Sequence, residues 1–154
     1  MIRIAGQILF AALLPLSAVA ADQHQHVLQS DSVQWKPAPA AFPKGAEIAL
    51  LQGDPAKEGQ YMIRLKVPAG YRIAPHTHPN DENVTVLSGT FGIGMGDKLD
   101  ESKAELVKAG GFAQAAKGMV HFAVFPEPTI IQLHGIGPGG INYVDPADDP
   151  RKTN

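Results

Sequence analysis

Apolar and polar residues alternate along much of the chain with the period of two that marks β-strands. In residues 61–67 the odd positions are apolar and the even positions are Met, Arg and Lys, so one face of a strand would be buried. Further β-rich runs lie at 82–95, 121–125 and 129–137. Only residues 101–109 could form a helix, and their weak alternation favours a loop that leads into a strand.

Glycines and prolines divide the chain into short segments, with 16 glycines and 13 prolines in 154 residues. Many short strands separated by turns are typical of a β-sandwich or barrel, so we predict an all-β fold with a single domain. The barrel is expected at residues 33–144. Residues 22–32 are polar and are expected to be flexible, and residues 145–154 form a polar, proline-bearing C-terminal tail.

The first 21 residues have the layout of a secretory signal peptide. Arg3 provides the positive charge, an apolar run extends from Ile8 to Leu16, and small residues stand at Ala18 and Ala20. The apolar run is too short to span a bilayer. We therefore expect residues 1–21 to be removed and the product to be periplasmic or secreted. The sequence has no cysteine, so we expect no lipid anchor after cleavage.

Composition limits the partners and the metal ligands that the protein can use. With 13 basic and 15 acidic residues the net charge is −2, and no basic patch suggests nucleic acid as a partner. The absence of cysteine excludes disulfides, thiolate ligands and a cysteine nucleophile. Any metal site must therefore use His, Asp, Glu or neutral oxygen ligands.

The candidate chemistry lies in residues 70–89, GYRIAPHTHPNDENVTVLSG. His76 and His78 are two positions apart, so in an extended segment both side chains project from one face. Glu82 begins the next β-rich run and can bring a carboxylate to the same point. Two histidines and one carboxylate that leave other coordination positions of the ion open form an arrangement associated with non-haem iron. Other divalent ions also fit this arrangement. Asp81 is the alternative carboxylate, but an aspartate in a turn is common for local backbone reasons.

A fourth ligand is expected from His121. This histidine follows a glycine-rich segment and begins the apolar run HFAVF, so its ring is expected to be at least half-buried. A buried imidazole requires a partner, and a metal ion would provide one.

The spacing Gly70-x5-His76-x-His78-x3-Glu82-x6-Gly89 resembles the first motif of the cupin superfamily at every position. The segment from Gly110 through Ala116 and Gly118 to His121 has the spacing of the second cupin motif. There Ala116 replaces a proline and Phe125 replaces a terminal asparagine, which affects turn rigidity and strand-end bonding but no ligand.

This resemblance, to a small single-domain secreted bacterial cupin, implies a double-stranded β-helix, or jelly-roll barrel, with an ion inside one end. The ligands that it implies are His76, His78, Glu82 and His121. The residue types and their positions indicate the same four. A cupin that kept the fold and lost its metal is the alternative.

Some residues outside the ligand set are candidates for catalysis or for lining a pocket. Gln132 and His134 share the face of one predicted strand that is opposite Ile131 and Leu133. This face either lines the pocket or faces solvent, and we take His134 as the candidate catalytic base and Gln132 as a pocket residue. Gln114 is a second candidate pocket residue. Gly92, Gly94 and Gly96 leave one face of a strand without side chains, which indicates either an open pocket wall or a twisted or bulged strand.

The sequence therefore predicts a metal-binding cupin of the cell envelope. A divalent ion (Fe, Mn, Ni, Zn or Cu) in a site of three histidines and one glutamate would suit a small-molecule enzyme, either a dioxygenase or a metal-assisted isomerase or lyase. The alternative is a protein that binds a small molecule or a metal without turnover, because no second acid–base pair is as firmly placed as the ligands. The expected partner is a small molecule, and a homodimer is compatible with the resemblance.

Overall fold

The computed structural model describes residues 26–152. Within them the chain forms eleven strands and three short 3-10 helices. The strands are β1 Lys36–Pro37, β2 Glu47–Gln52, β3 Gly59–Val67, β4 Tyr71–Thr77, β5 Glu82–Ser88, β6 Thr90–Met95, β7 Glu105–Lys108, β8 Phe112–Ala115, β9 His121–Phe125, β10 Thr129–Gly137 and β11 Asn142–Tyr143. The helices are Ser30–Ser32, Glu101–Lys103 and Pro146–Asp148. The predicted signal peptide and the first residues of the polar N-terminus lie outside the described residues.

The strands form two sheets in which every pairing is antiparallel. The six-stranded sheet has the order β1-β2-β3-β10-β5-β8, and the five-stranded sheet has the order β11-β4-β9-β6-β7. Both sheets combine consecutive strands with strands from distant parts of the chain, such as β3 beside β10 and β4 beside β9, as in a jelly roll. The predicted all-β, double-stranded β-helix fold is confirmed. No helix in the described part of the chain has the length and hydrophobicity needed to cross a membrane.

The core lies between the two sheets. The alternation that predicted β3 is confirmed, because Ile63, Leu65 and Val67 are buried while Arg64 between them faces outward. The five-stranded sheet contributes Phe125 from β9, whose ring is tilted against that of Phe91 at a centroid distance of 5.5 Å. Burial of a large apolar side chain of this kind stabilises the fold by roughly 1.5–3 kcal/mol.

The glycines of β6 make room for side chains of β9. A Cβ atom at Gly94 would lie 2.0 Å from the ring of Phe122, and one at Gly92 would lie 2.6 Å from Cγ2 of Val124. Phe122 is fully buried as a result. The interpretation of this strand as an open pocket wall is therefore wrong at Gly92 and Gly94, where side chains of the neighbouring strand fill the glycine face. Gly96 lies just past the end of β6, and a Cβ atom there would meet nothing within 4 Å.

The segment that could have been a helix is short and irregular. One 3-10 turn, Glu101–Lys103, precedes β7, as expected for a loop that leads into a strand. Asp100 caps this turn by accepting a hydrogen bond from the backbone nitrogen of Ser102.

Candidate metal centre

Three histidines meet inside one end of the barrel. His76 near the end of β4 and His121 at the start of β9 are direct partners across the five-stranded sheet, and His78 follows two residues after His76. One nitrogen from each ring lies within 4.8 Å of the others. The exposed fraction is only 2% for His76, 7% for His78 and 2% for His121. The β4–β9 register thus brings together ligands that are 45 residues apart in the sequence.

Each ring is held by a main-chain carbonyl. Nδ1 of His76 lies 2.7 Å from the oxygen of Ala74, and Nδ1 of His121 lies 3.0 Å from that of Met119. Nδ1 of His78 lies 2.7 Å from the oxygen of Gly140. A carbonyl only accepts hydrogen bonds, so each Nδ1 carries the proton. In the neutral ring this leaves the Nε2 lone pair available, which is how metal-binding histidines are usually oriented.

The Nε2 atom of His78 gives the strongest evidence for a metal site. It is buried and has no hydrogen-bond partner within residues 26–152. A buried nitrogen without a hydrogen bond is costly. A protonated ring would pair with Glu82 in the absence of an ion, whereas a metal ion would satisfy the neutral ring and the carboxylate together. The separation of Nε2 of His78 from Oε2 of Glu82 is 3.3 Å. Two ligand atoms about 2.1 Å from one ion at an angle of 90–110° lie about 3.0–3.4 Å apart, so this pair fits a shared ion.

Glu82 is the carboxylate that the structure brings to the cluster. It begins β5 in the opposite sheet and its side chain is largely buried, although it is not part of the tight group formed by the three imidazole nitrogens. Asp81 is exposed and accepts a hydrogen bond from the backbone nitrogen of Lys117 at 2.7 Å. The aspartate is thus occupied by the backbone of a distant loop rather than by the local turn bond that was expected, and the geometry favours Glu82 over Asp81.

Burial and mutual proximity set the protonation of the cluster. Burial, together with the charge of a protonated His121, lowers the pKa of His76 to about 3. Burial also lowers the pKa of His121. Burial would lower the pKa of His78 as well, but its interaction with Glu82 outweighs this and raises it. For Glu82, burial acts to raise the pKa, and the neighbouring His78 reverses this and lowers it. His76 and His121 are therefore neutral near pH 7, as ligands must be.

An apolar cavity leads from the surface to this cluster. Its volume is about 300 Å³, and His78 and Glu82 line its inner end. Its walls are mostly apolar and include Pro39, Phe42, Ile63, Tyr61, Leu133 and Ile141. The interior around all four candidate ligands is nearly filled, with a free volume of about 20 Å³. A ligand would thus approach the cluster through this cavity, which we call the mouth cavity.

The other proposed site residues lie outside the barrel interior. Leu133 of β10 is buried in the core, so Gln132 and His134 on either side of it face outward. Gln132 accepts a hydrogen bond from Nε of Arg64 at 3.1 Å, and Gln114 donates one to Oδ1 of Asn83 at 2.9 Å.

His134 lines a groove of about 500 Å³ on the outside of the six-stranded sheet, and none of the four candidate ligands lines this groove. The structure does not bring His134, Gln132 or Gln114 to the cluster. A catalytic or pocket role for them stays a prediction without geometric support there.

The C-terminal segment contributes to the site in a way that the sequence did not indicate. Residues 145–152 are polar as expected, but they contact the barrel. Nη2 of Arg151 donates a hydrogen bond to the carbonyl oxygen of Ile141 at 3.1 Å and another to Asp149 at 2.9 Å. Ile141 directly follows Gly140, whose carbonyl orients His78.

A family model described as the ChrR cupin-like domain matches residues 23–139. No curated protein sequence matches the chain. Solved structures with the same fold include the polyketide cyclase RemF from Streptomyces resistomycificus, at 18% identity and a TM-score of 0.68, covering 82% of this chain and 90% of that one. An acetylacetone dioxygenase from Acinetobacter johnsonii is 20% identical with a TM-score of 0.62, covering 88% of this chain and 87% of that one.

These structural similarities show the fold, and the family match extends over most of the chain and both histidine segments. The expected resemblance to cupins is confirmed, and the chain belongs to the ChrR cupin-like domain family.

Proposed function

We propose that this protein is a metal-dependent cupin enzyme of the cell envelope that acts on a small molecule. Its ligands would be His76, His78 and His121, with Glu82 as the fourth. The observation that carries the proposal is the buried Nε2 atom of His78, which has no hydrogen-bond partner within the described residues and lies beside two further imidazoles and a carboxylate.

The protein's own groups prepare the site before any ion binds. Main-chain carbonyls hold the three Nδ1 protons, so the rings need no reorientation. Burial keeps His76 and His121 neutral. A bound divalent ion would supply a Lewis acid and, if it is iron, a redox centre. The apolar walls of the mouth cavity exclude water from the ligand and strengthen polar interactions at its inner end.

A dioxygenase or a metal-assisted isomerase or lyase is the reaction class that we favour. Proteins of the same fold include one called an acetylacetone dioxygenase and one called a polyketide cyclase. The mouth cavity has a suitable size for a small molecule, and two of the four candidate ligands, His78 and Glu82, line it. Export of the mature protein to the periplasm or the medium, after removal of residues 1–21, is part of the proposal.

The alternative is a protein that binds a small molecule without turnover. It is supported by the composition of the mouth cavity, in which Tyr61 has the only ionisable side chain besides the candidate ligands His78 and Glu82. No separate acid–base pair lines this cavity in the described part of the chain. Turnover would then have to rely on the metal centre itself.

Metal analysis of protein purified from its native compartment tests the proposal. We expect about one divalent ion per chain in the wild type and loss of that ion in His76→Ala. A metal content well below one per chain would contradict the proposed centre. Two measurements with diketones, catechols and sugar acids then separate the two functions: oxygen uptake by anaerobically Fe(II)-loaded protein detects a dioxygenase, and product analysis of the metal-loaded protein detects an isomerase or lyase. Turnover supports the enzyme, whereas a raised melting temperature without turnover supports the binding protein.

A further inference from the structure

One of the three tyrosines has a hydroxyl group without a hydrogen-bond partner in the described part of the chain. Tyr71 donates its hydroxyl hydrogen to the carbonyl oxygen of Pro43 at 2.7 Å, and Tyr143 donates to that of Ala41 at 2.8 Å. Both hydroxyls are thereby fixed to the main chain. Tyr61 makes no such bond within residues 26–152, although its side chain is only partly exposed. Its phenol is protonated at neutral pH and remains available as a donor.

Tyr61 lies at the end of the barrel that holds the histidines. Gly135 of β10 pairs with Tyr61 of β3 on one side and with Glu82 of β5 on the other. The three residues therefore form one row across the six-stranded sheet. Both outer members of the row line the mouth cavity. The charge of Glu82 is close enough to contribute to the raised pKa of Tyr61, after the larger effect of burial.

Two glycines leave space for the Tyr61 hydroxyl. A Cβ atom at Gly135 would lie 3.2 Å from it, and one at Gly139 would lie 3.0 Å from it. The phenol therefore lies over backbone rather than over side chains, with its oxygen between β10 and the loop that carries Gly139. Because the residue between Tyr61 and Glu82 has no side chain, nothing from that position separates the phenol from the carboxylate.

The chemistry of the mouth cavity restricts what can occupy it. Its lining has no lysine or arginine, and prolines, alanines and larger apolar side chains supply most of its walls. A phosphate or a sugar acid would lose hydration along these walls, where no cationic side chain replaces it and only one end of the molecule can reach the proposed metal ion. A ligand with an apolar body and one polar end would lose little hydration free energy, provided that the polar end reaches His78 and Glu82.

We propose that Tyr61 is a ligand-contacting residue, whose hydroxyl donates a hydrogen bond to an oxygen atom of a small, largely apolar oxygen-donor ligand bound at the histidine centre. This inference rests on the proposed function and adds the residue and the ligand class. Enolate, ketone and catecholate oxygens are the acceptors that fit. Removal of the hydroxyl weakens binding of such a ligand but leaves metal binding intact.

The test uses the mature protein loaded with Zn(II) and 4-nitrocatechol as a coloured oxygen-donor probe. We expect the probe to bind to the wild type and the Tyr61→Phe variant to bind it about tenfold more weakly, as is typical for loss of a hydrogen bond to a charged acceptor. The dissociation constant for Zn(II), measured by competition with a chelating dye, should be the same in both. Tyr71→Phe is the matched control, because it removes the same atom from a hydroxyl that is bonded to the main chain outside the mouth cavity.

The outcomes are distinguishable. Equal probe affinity in Tyr61→Phe and wild type, with metal bound in both, would overturn the role of Tyr61. Zn(II) binding to the wild type without probe binding would overturn the ligand class while the metal centre stands. Failure of the wild type to bind Zn(II) would overturn the proposed function and this inference together. Gly139→Ala provides a second variant should Tyr61→Phe be unstable, since its Cβ atom would displace the phenol while the residue's backbone is not in the left-handed region. It should also weaken probe binding.

Discussion

The imidazole of His78 donates a hydrogen bond from Nδ1 to the carbonyl oxygen of Gly140, 62 residues further along the chain, at 2.7 Å. His76 and His121 instead bond to carbonyls two residues before them. His78 therefore depends on a distant segment for its orientation, whereas the other two rings are oriented by their own strands. The same distant segment continues into β11, which pairs with β4 opposite His76 and Thr77.

Arg151→Ala should weaken metal binding although Arg151 is not a ligand. Its guanidinium group donates to the carbonyl oxygen of Ile141 and so holds the loop that carries Gly140. Residues that orient ligands typically change metal affinity by 10- to 100-fold, and we expect several-fold here because Arg151 acts one residue further away. Competition titrations with Co(II) or Zn(II) measure the effect. Lys152→Ala is the control, because Lys152 is exposed and next to Arg151 in sequence, and equal affinities in the two variants would contradict the role of Arg151.

Glu82→Gln should reduce metal affinity by at least the roughly 10- to 100-fold that loss of a ligand-orienting group costs. The carboxylate lies 3.3 Å from Nε2 of His78 and would supply the only negative charge among the candidate ligands. Asp81→Asn is a closely matched control. It removes the same charge one residue earlier, and the amide oxygen can still accept the hydrogen bond from the backbone of Lys117. Zn(II) competition at pH 7 compares the two. The idea of Glu82 as a ligand would be wrong if both variants kept the wild-type affinity.

The sequence predicted the strands and the group of His76, His78 and Glu82 because both depend on short-range information. The alternation in β3 and the spacing of His76, His78 and Glu82 can be read from adjacent residues. The position of His121 required a resemblance or a guess about burial, since only the β4–β9 register places it opposite His76.

The pocket residues were harder to predict, because the polar face of a strand either lines a pocket or faces solvent, and the sequence pattern does not distinguish these two cases. His134 and Gln132 were chosen for their chemistry, and they lie on the outer face of β10. Tyr61 was assigned only to the apolar face of its strand, and its place at the mouth follows from pairing through Gly135. The role of Arg151 depends on a contact with a loop ten residues earlier, which no local pattern encodes.

Metal binding should become weaker as the pH falls through the pKa of His78. The metal binds the neutral ring, and the interaction with Glu82 raises this pKa above its ordinary value of 6.5. Below that pKa a proton occupies the nitrogen, so the apparent affinity should fall about tenfold per pH unit, and above it the affinity should level off. Burial lowers the pKa of His76 to about 3 and also lowers that of His121, so metal binding near pH 7 should release at most one proton, from His78, rather than three.

Calorimetric titration with Zn(II) in two buffers of different ionisation enthalpy counts that proton. Glu82→Gln removes the interaction that raises the pKa of His78, so the fall in affinity should move to lower pH in this variant. Release of two or three protons at pH 7 would contradict the assignment of neutral rings to His76 and His121.

Gly94→Ala should destabilise the barrel without changing the metal ligands. The new methyl group would lie 2.0 Å from the ring of Phe122, which is fully buried against β6 and faces away from the histidine cluster. Overpacking of this kind costs about 1–3 kcal/mol in the free energy of unfolding, measured by urea denaturation of metal-free protein. Phe122→Leu also destabilises the protein, but it removes the ring that the methyl group would contact. The double variant should therefore lose less than the sum of the two single losses, and strict additivity would show that Gly94 and Phe122 are not in the close contact described above.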